Sequence, residues 1–188
     1  VSDRVQVSDF FADIKTTMGG LDALVNNAGI AGPTGGVEDI APDDWARCID
    51  VCLTGQFLCA HYAVPMLKAA GGGSIVSMSS AAGRFGYAFR TPYTAAKWGV
   101  IGFTKSLAIE LGSDGVRVNA ILPGIVAGDR QRRVLEAKAQ RLGKTFSEIE
   151  AEAFSYTSIS EYVTARQLAD QVLFLASPLG RTISGQAI

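Results

Sequence analysis

Apolar residues along this chain follow two different rhythms. Between positions 5 and 18, Val5, Val7, Phe10, Phe11, Ile14 and Met18 recur at roughly helical spacing, and Gly19-Gly20 closes the run. Leu21-Asp22-Ala23-Leu24-Val25 follows, a short apolar run ended by Asn26-Asn27-Ala28-Gly29, which is the pattern of a buried parallel strand. Residues 30–41 are rich in glycine and proline and read as a loop. Pro42-Asp43-Asp44 opens a long helical stretch, 43–70, in which Pro65 predicts a kink and Gly71-Gly72-Gly73 the end. Ser74–Ser79 predicts a second strand, 80–92 a loop, Tyr93–Leu111 a helix stopped by Gly112, and Val116–Leu122 a third strand ended by Pro123-Gly124. The charged stretch 129–158 predicts two helical pieces broken near Gly143, and 164–176 predicts another helix. Ser184–Ile188 starts a fourth strand. Strands alternating with helices predict an α/β fold, a parallel sheet covered on both faces, with no repeat or linker dividing the chain.

Composition narrows the function classes. Of 188 residues, 48% are hydrophobic and 19% charged, which excludes a disordered chain. A formal net charge of −1 provides no bulk field for nucleic acid or an anionic membrane. Cys48, Cys52 and Cys59 are odd in number, so they are no disulfide framework. Offsets of four and seven place them near one helix face, spread over turns rather than converging as a metal site requires, so they read as small buried residues and no metal is expected. Reduced thiols suit a cytoplasmic setting. Neither a secretory apolar core nor an apolar run of about 20 residues is present in the chain.

In open parallel sheets, ligands bind beyond the carboxyl ends of the strands. All three predicted ends are polar or glycine-rich: Asn26-Asn27-Ala28-Gly29, Ser79-Ser80 and Pro123-Gly124. Small residues there let a flat ligand lie against the backbone. Tyr93 and Lys97, four apart, share a helix face, and a nearby ammonium stabilises a phenolate. Ser80, at a strand end, is placed to hydrogen-bond the same substrate oxygen. Such a trio can protonate a ketone oxygen, or deprotonate an alcohol, while a hydride moves at carbon. Tyr-x-x-x-Lys alone is a weak signal, because such pairs are common on solvated helix faces. The ordered set, each motif at a predicted strand end or opening the next helix, is a strong one.

That set resembles the short-chain dehydrogenase/reductase family over nearly the whole chain. The likeness rests on Asn26-Asn27-Ala28-Gly29, Ser80, Tyr93, Lys97, Asn119 and Pro123-Gly124, with weaker agreement at Gly102–Ala108 and Ile183-Ser184-Gly185. It implies a Rossmann-type, doubly wound, three-layer fold and a bound NAD or NADP. Tyr93 would be the acid/base and Ser80 the substrate-oxygen binder. Lys97 would hold the nicotinamide ribose and favour the Tyr93 phenolate. Asn26, Ala28, Gly29, Pro123, Gly124 and Val126, with Tyr93 and Lys97, would line the cofactor site. The family likeness also implies a substrate lid over about 126–163 and a homodimer or homotetramer built through helices 43–70 and 93–111.

Departures from the family pattern are equally specific. Cys52 stands where the family usually has asparagine, and Gly128 where it often has threonine. Cys52 either leaves a proton relay of water and backbone carbonyls intact or impairs turnover. The glycine-rich turn Gly-x-x-x-Gly-x-Gly is absent, and Gly71-Gly72-Gly73 is no substitute because it precedes a strand rather than a helix. The chain therefore reads as one partial domain, the catalytic and substrate portion of a domain of about 250 residues, truncated at both ends. Expressed alone it is expected to be insoluble or molten, since the Leu21–Val25 strand would lack its inner partner. Arg130, Arg132, Arg133, Lys138, Arg141 and Lys144 in the lid read either as a solvated face or as a site for a carboxylate- or phosphate-bearing substrate. The sequence thus predicts an oxidoreductase acting on a ketone or secondary alcohol. The rival is a binding or oligomerisation module that kept the fold and lost the cofactor.

Overall fold

Three parallel strands, β1 (Ala23–Asn26), β2 (Gly73–Met78) and β3 (Val116–Ile121), lie side by side in chain order in the computed structural model, which describes residues 1–188. Ala23 faces Ser74 across the first pair, and Gly73 faces Val116 across the second. Side chains alternate across the sheet, and both faces are covered. Ile75, Val116 and Val118 pack under α1 (Arg4–Met18), α3 (Gly55–Ala69) and α4 (Thr91–Leu111) with Val7, Phe11, Leu58, Leu67 and Leu111. Val76 and Ile121 point the other way and pack with Leu175 of α7 (Ala165–Ala176). This three-layer arrangement is the α/β architecture predicted.

Three predicted details change. The helical stretch 43–70 consists of α2 (Pro42–Ile49), a π-helical turn (Asp50–Thr54) and α3. The interruption falls at Cys52, and Pro65 lies inside a continuous α3. The extra residue in the turn shifts the helix phase. Cys48 and Cys52 consequently pack together against Ile30, Leu53, Tyr93 and Ala96, while Cys59 packs into the large core beneath the sheet. The single cysteine face expected from spacing does not form. Within α1, Val7 and Phe11 are buried, but Val5, Phe10 and Met18 are exposed, so the buried stripe is narrower than the apolar pattern.

The C-terminal run adds to the outer edge of β3. Leu122 N–H donates to Ile188 O (2.6 Å) and Ile188 N–H to Ala120 O (3.0 Å), a short parallel ladder rather than a full strand. Asn119 holds it, donating to Ile183 O (2.8 Å) and accepting from Gln186 N–H (3.0 Å). β1 pairs on one side only, and Val25 on it is 43% exposed. Beyond β3, Val126 bridges Val163, and between them run α5 (Asp129–Leu142) and α6 (Phe146–Phe154). Gly143, at φ 63°, ends α5 at the predicted break. Reciprocal caps, Thr145 with Glu148 and Thr164 with Gln167, open α6 and α7. No helix is long and apolar enough to cross a membrane.

Candidate active site

Parallel strands bring their carboxyl ends to one edge, so the loops after β1, β2 and β3 meet there. Ser79 N–H donates to Ile121 O (2.8 Å), and Ala81 N–H to Pro123 O (2.9 Å), stitching the second loop to the third. Ser79 Oγ donates to Lys97 O (2.8 Å) and ties β2 to α4. Gly83 permits this approach. A Cβ there would stand 2.6 Å from Ser79 Oγ and 2.7 Å from Lys97 O. Phe89, just before α4, adopts a left-handed φ of 66°, and its carbonyl accepts from Gly35 N–H (3.0 Å). That turn aims Arg90 inward, and α4 begins directly after it with Pro92 in its first turn.

Tyr93 and Lys97 then sit one turn apart. Lys97 is 3% exposed, its Nζ donates to Met78 O (2.7 Å), and it lies 5.5 Å from the centre of the Tyr93 ring. Burial pushes its ammonium below the usual lysine range, and the charge of Arg130 adds to this, while Cys52 and Cys48 oppose it. Ser80 starts the turn after β2 and accepts from Ala82 N–H (3.2 Å), which leaves its own O–H free to donate.

The cofactor-lining candidates divide by geometry. Gly29 stands beside the lysine, since a Cβ on it would lie 3.8 Å from Lys97 Nζ and 3.7 Å from Cys52 Sγ. Ala28 and Gly124 are exposed, Pro123 is half-buried, and space above Gly124 is open. Asn26 is buried and donates to Ser77 Oγ (3.4 Å), so it braces β1 against β2. Val126 lies in the bridge to Val163 that opens the segment carrying α5 and α6. These residues fit the nicotinamide–ribose end of a dinucleotide. A buried ammonium spends one hydrogen on Met78 O, and a glycine next to it keeps the backbone approachable. No Gly-x-x-x-Gly-x-Gly turn occurs in the chain, so the fit stops short of the phosphates.

Cys52, at the position where the family resemblance implies asparagine, is bound on both sides by Ile30 of the loop after β1. Ile30 N–H donates to its Sγ (3.4 Å), and the thiol can donate to Ile30 O (3.4 Å). The Cys48 thiol beside it, Ile30 N–H and the cations Lys97 and Arg130 all favour its anion, holding Cys52 below the usual thiol range while Cys48 is pushed above it. Buried Gln56 donates to Cys52 O (3.2 Å) and to Met78 O (3.3 Å), the carbonyl that also receives Lys97.

Gln56, Ser79, Gly83 and Arg90 are site residues that pattern reading passes over. Arg90 lies three residues before Tyr93, the spacing of one helix face, and its guanidinium is 4.9 Å from the Tyr93 ring centre. Ser79 and Gly83 flank the predicted Ser80 and differ from ordinary loop residues only in their contacts.

The family model described as enoyl-(acyl carrier protein) reductase matches residues 1–188. Trans-4-hydroxycyclohexanecarboxylate dehydrogenase of Sinomonas cyclohexanicum is 41% identical over 167 residues, covering 89% of this chain and 58% of that protein. The uncharacterized oxidoreductase YxbG of Bacillus subtilis strain 168 is 35% identical over 188 residues, covering 100% of this chain and 67% of that protein. An actinorhodin polyketide ketoreductase variant, solved with NADPH, superposes with a TM-score of 0.92 at 29% identity, covering 100% of this chain and 72% of that one. The chain therefore spans between about half and three quarters of the length of these relatives. With a family model matched along every residue and the motifs gathered at one sheet edge, this chain belongs to the short-chain dehydrogenase/reductase family.

Proposed function

We propose that the whole protein is an oxidoreductase that moves a hydride between NAD or NADP and a ketone or secondary alcohol. The observation that carries this reading is Lys97, buried one turn from Tyr93 at the shared carboxyl edge of three parallel strands. A buried ammonium with no carboxylate partner is costly, and a site that orients a phenol and a ribose gives it a use. The bound nicotinamide would supply or accept the hydride. In the oxidative direction Tyr93 takes the alcohol proton as the carbinol hydrogen leaves as hydride; in the reductive direction it returns that proton to the carbonyl oxygen. Ser80 O–H holds the same oxygen. Lys97 holds the ribose hydroxyls and keeps its charge 5.5 Å from the centre of the Tyr93 ring. Ala28, Gly29, Pro123, Gly124 and Val126 form the walls, and Asn26 fixes the strand end beneath them.

The relatives fit this direction. One is a dehydrogenase of a hydroxycyclohexanecarboxylate, and another, from Cupriavidus necator, is a D-beta-hydroxybutyrate dehydrogenase that is 33% identical over 186 residues. A homodimer or homotetramer and a cytoplasmic setting belong to the same reading. Phe57 of α3 and Trp98 of α4 are exposed, and Phe57 meets Phe103 edge-on at 6.4 Å, so these helices carry apolar surface outward as well as inward.

Tyr93→Phe in the whole protein tests the chemistry. Hydride transfer between NADH or NADPH and a panel of cyclic ketones, cyclohexanone included, is expected to fall about 10²–10⁴-fold, the usual worth of a general acid. Nucleotide binding, followed by NADH fluorescence, is expected to persist. Retained activity in Tyr93→Phe would overturn the assignment.

A further inference from the structure

Three cations surround the ring of Tyr93. The guanidinium of Arg90 lies 4.9 Å from its centre, Lys97 Nζ 5.5 Å and the guanidinium of Arg130 5.8 Å. None of them has a carboxylate partner. All six ion pairs of the chain lie elsewhere. The three instead donate to backbone carbonyls: Arg90 to Ala31 O, Lys97 to Met78 O (2.7 Å), and Arg130 to Gly29 O (3.4 Å) and Ile30 O (2.9 Å). Arg90 is 3% exposed, and its Nε has no acceptor. No carboxylate stands beside the proton-transfer group, in a site where Arg90 and Lys97 are buried and a missing counter-ion is expensive.

We infer that Arg130, backed by Arg90, makes this site select substrates that carry a carboxylate along with the reacting alcohol or ketone. The inference rests on the function proposed above for Tyr93. Arg130 occupies the first turn of α5 and is exposed. Two carbonyls occupy part of its fork of five N–H donors, so others remain to grip a carboxylate. Arg90 is too buried to do the gripping. It holds the 29–31 loop from below and adds its charge to the potential at the ring. Arg133, the neighbour of Arg130 in the lid's charge run, makes no contact with Tyr93 and is left out of the site. The carboxylate would lie beside the tyrosine ring, a few bonds from the reacting carbon. The substrate class is therefore a short or cyclic hydroxy acid and its keto acid. Lys97 remains with the ribose, so the substrate anion and the cofactor do not compete for one cation.

The test compares cyclohexanecarboxylate with cyclohexanecarboxamide, which are isosteric, differ in charge and undergo no hydride transfer. Binding to the whole protein is measured by isothermal titration in the presence of NADH or NADPH. The wild-type protein is expected to bind the acid at least tenfold more tightly than the amide. Arg130→Gln is expected to erase that preference, and Arg130→Lys to keep part of it. Equal affinities in the wild type, no binding of either probe, or a preference unchanged in Arg130→Gln would overturn the inference. A parallel turnover assay of 4-hydroxycyclohexanecarboxylate against its methyl ester separates the two proposals. Carboxylate-selective binding without turnover would sink the proposed reaction and leave Arg130 as an anion site. Turnover of both with no preference for the acid would do the reverse.

Discussion

The floor of the site and the 126–163 segment proposed as its lid meet at Tyr93, and they are held by different forces. In the floor, the ends of β2 and β3 and the start of α4 are tied by buried groups: Ser79 to Lys97 O, Lys97 and Gln56 to Met78 O, and Gly83 pressed against the α4 backbone. The lid between Val126 and Val163 has a small core of Leu135, Ala139 and Ile149. Its outer contacts are partly exposed ion pairs: Arg132 with Glu136 (2.9 Å), Glu152 with Lys138 (3.7 Å) and Lys144 (3.5 Å), and Arg141 with Asp39 of the 30–41 loop (2.8 Å). Buried polar contacts are costly to disturb, because a broken one leaves an unpaired group away from water. Exposed pairs contribute about 0–1 kcal/mol each. The residues proposed for proton transfer thus sit on the stiff part of the molecule. The residue inferred to choose the substrate, Arg130, is on the part whose outer contacts are the weaker ones.

The sharpest way to break that contrast is Gly83→Ala. The added methyl meets a backbone carbonyl at 2.7 Å, which cannot swing aside as a side-chain tip can. A loss of about 3 kcal/mol is expected, the upper end for overpacking, read by urea unfolding of the whole protein. Activity is expected to fall with it, since α4 must shift. A neutral Gly83→Ala would mean that the floor is no stiffer than the lid.

Cys52 tests the seam between the two regions. Its folded-state thiol lies below the ordinary value of 9.0 because Cys48, Ile30 N–H, Lys97 and Arg130 favour the anion. A depressed acid contributes stability that is complete above its unfolded pKa and disappears as the pH falls through the folded value. The deficit of Cys52→Ser relative to wild type is therefore expected to grow by about 1.5 kcal/mol from pH 5 to pH 9, roughly one hydrogen bond to a charged group. Denaturant midpoints at the two pH values provide the comparison, and a constant deficit would count against a thiolate. Cys52→Asn is expected to keep or raise turnover, because an amide can both donate to Ile30 O and accept from Ile30 N–H. A large fall in kcat with the fold intact would show that the thiol itself is needed.

The smallest effect belongs to the lid. Glu152→Gln removes the shared partner of Lys138 and Lys144, yet is expected to cost less than about 1 kcal/mol and to leave kcat for uncharged ketones unchanged. A Tm lowered as far as by Gly83→Ala would show that the lid is structurally part of the floor.

Much of this floor was legible in the residues. Apolar runs closed by Asn26-Asn27-Ala28-Gly29, Ser79-Ser80 and Pro123-Gly124 marked the strands and their ends, and parallel pairing brings those ends together as expected. The four-residue spacing of Tyr93 and Lys97 placed them on adjacent turns of α4. Gly143 marked the break between α5 and α6. Each signal is local, governed by the period of one element or the φ demanded at one position, so it can be read without the rest of the molecule.

Contacts between distant segments were decided by the tertiary structure. Spacing placed Cys48, Cys52 and Cys59 on one face, but the π turn divides them and brings Cys52 against Ile30. Asn26 was expected among the cofactor-lining residues, and the register of β1 against β2 brings its amide to Ser77. Arg130 lies thirty-seven residues beyond Tyr93 in the chain, and only the path of the segment after β3 brings its guanidinium to the ring. The physical reason is the same in each case. Sequence periodicity fixes which face of an element a side chain occupies, whereas strand register, helix phase and loop path fix what that face meets.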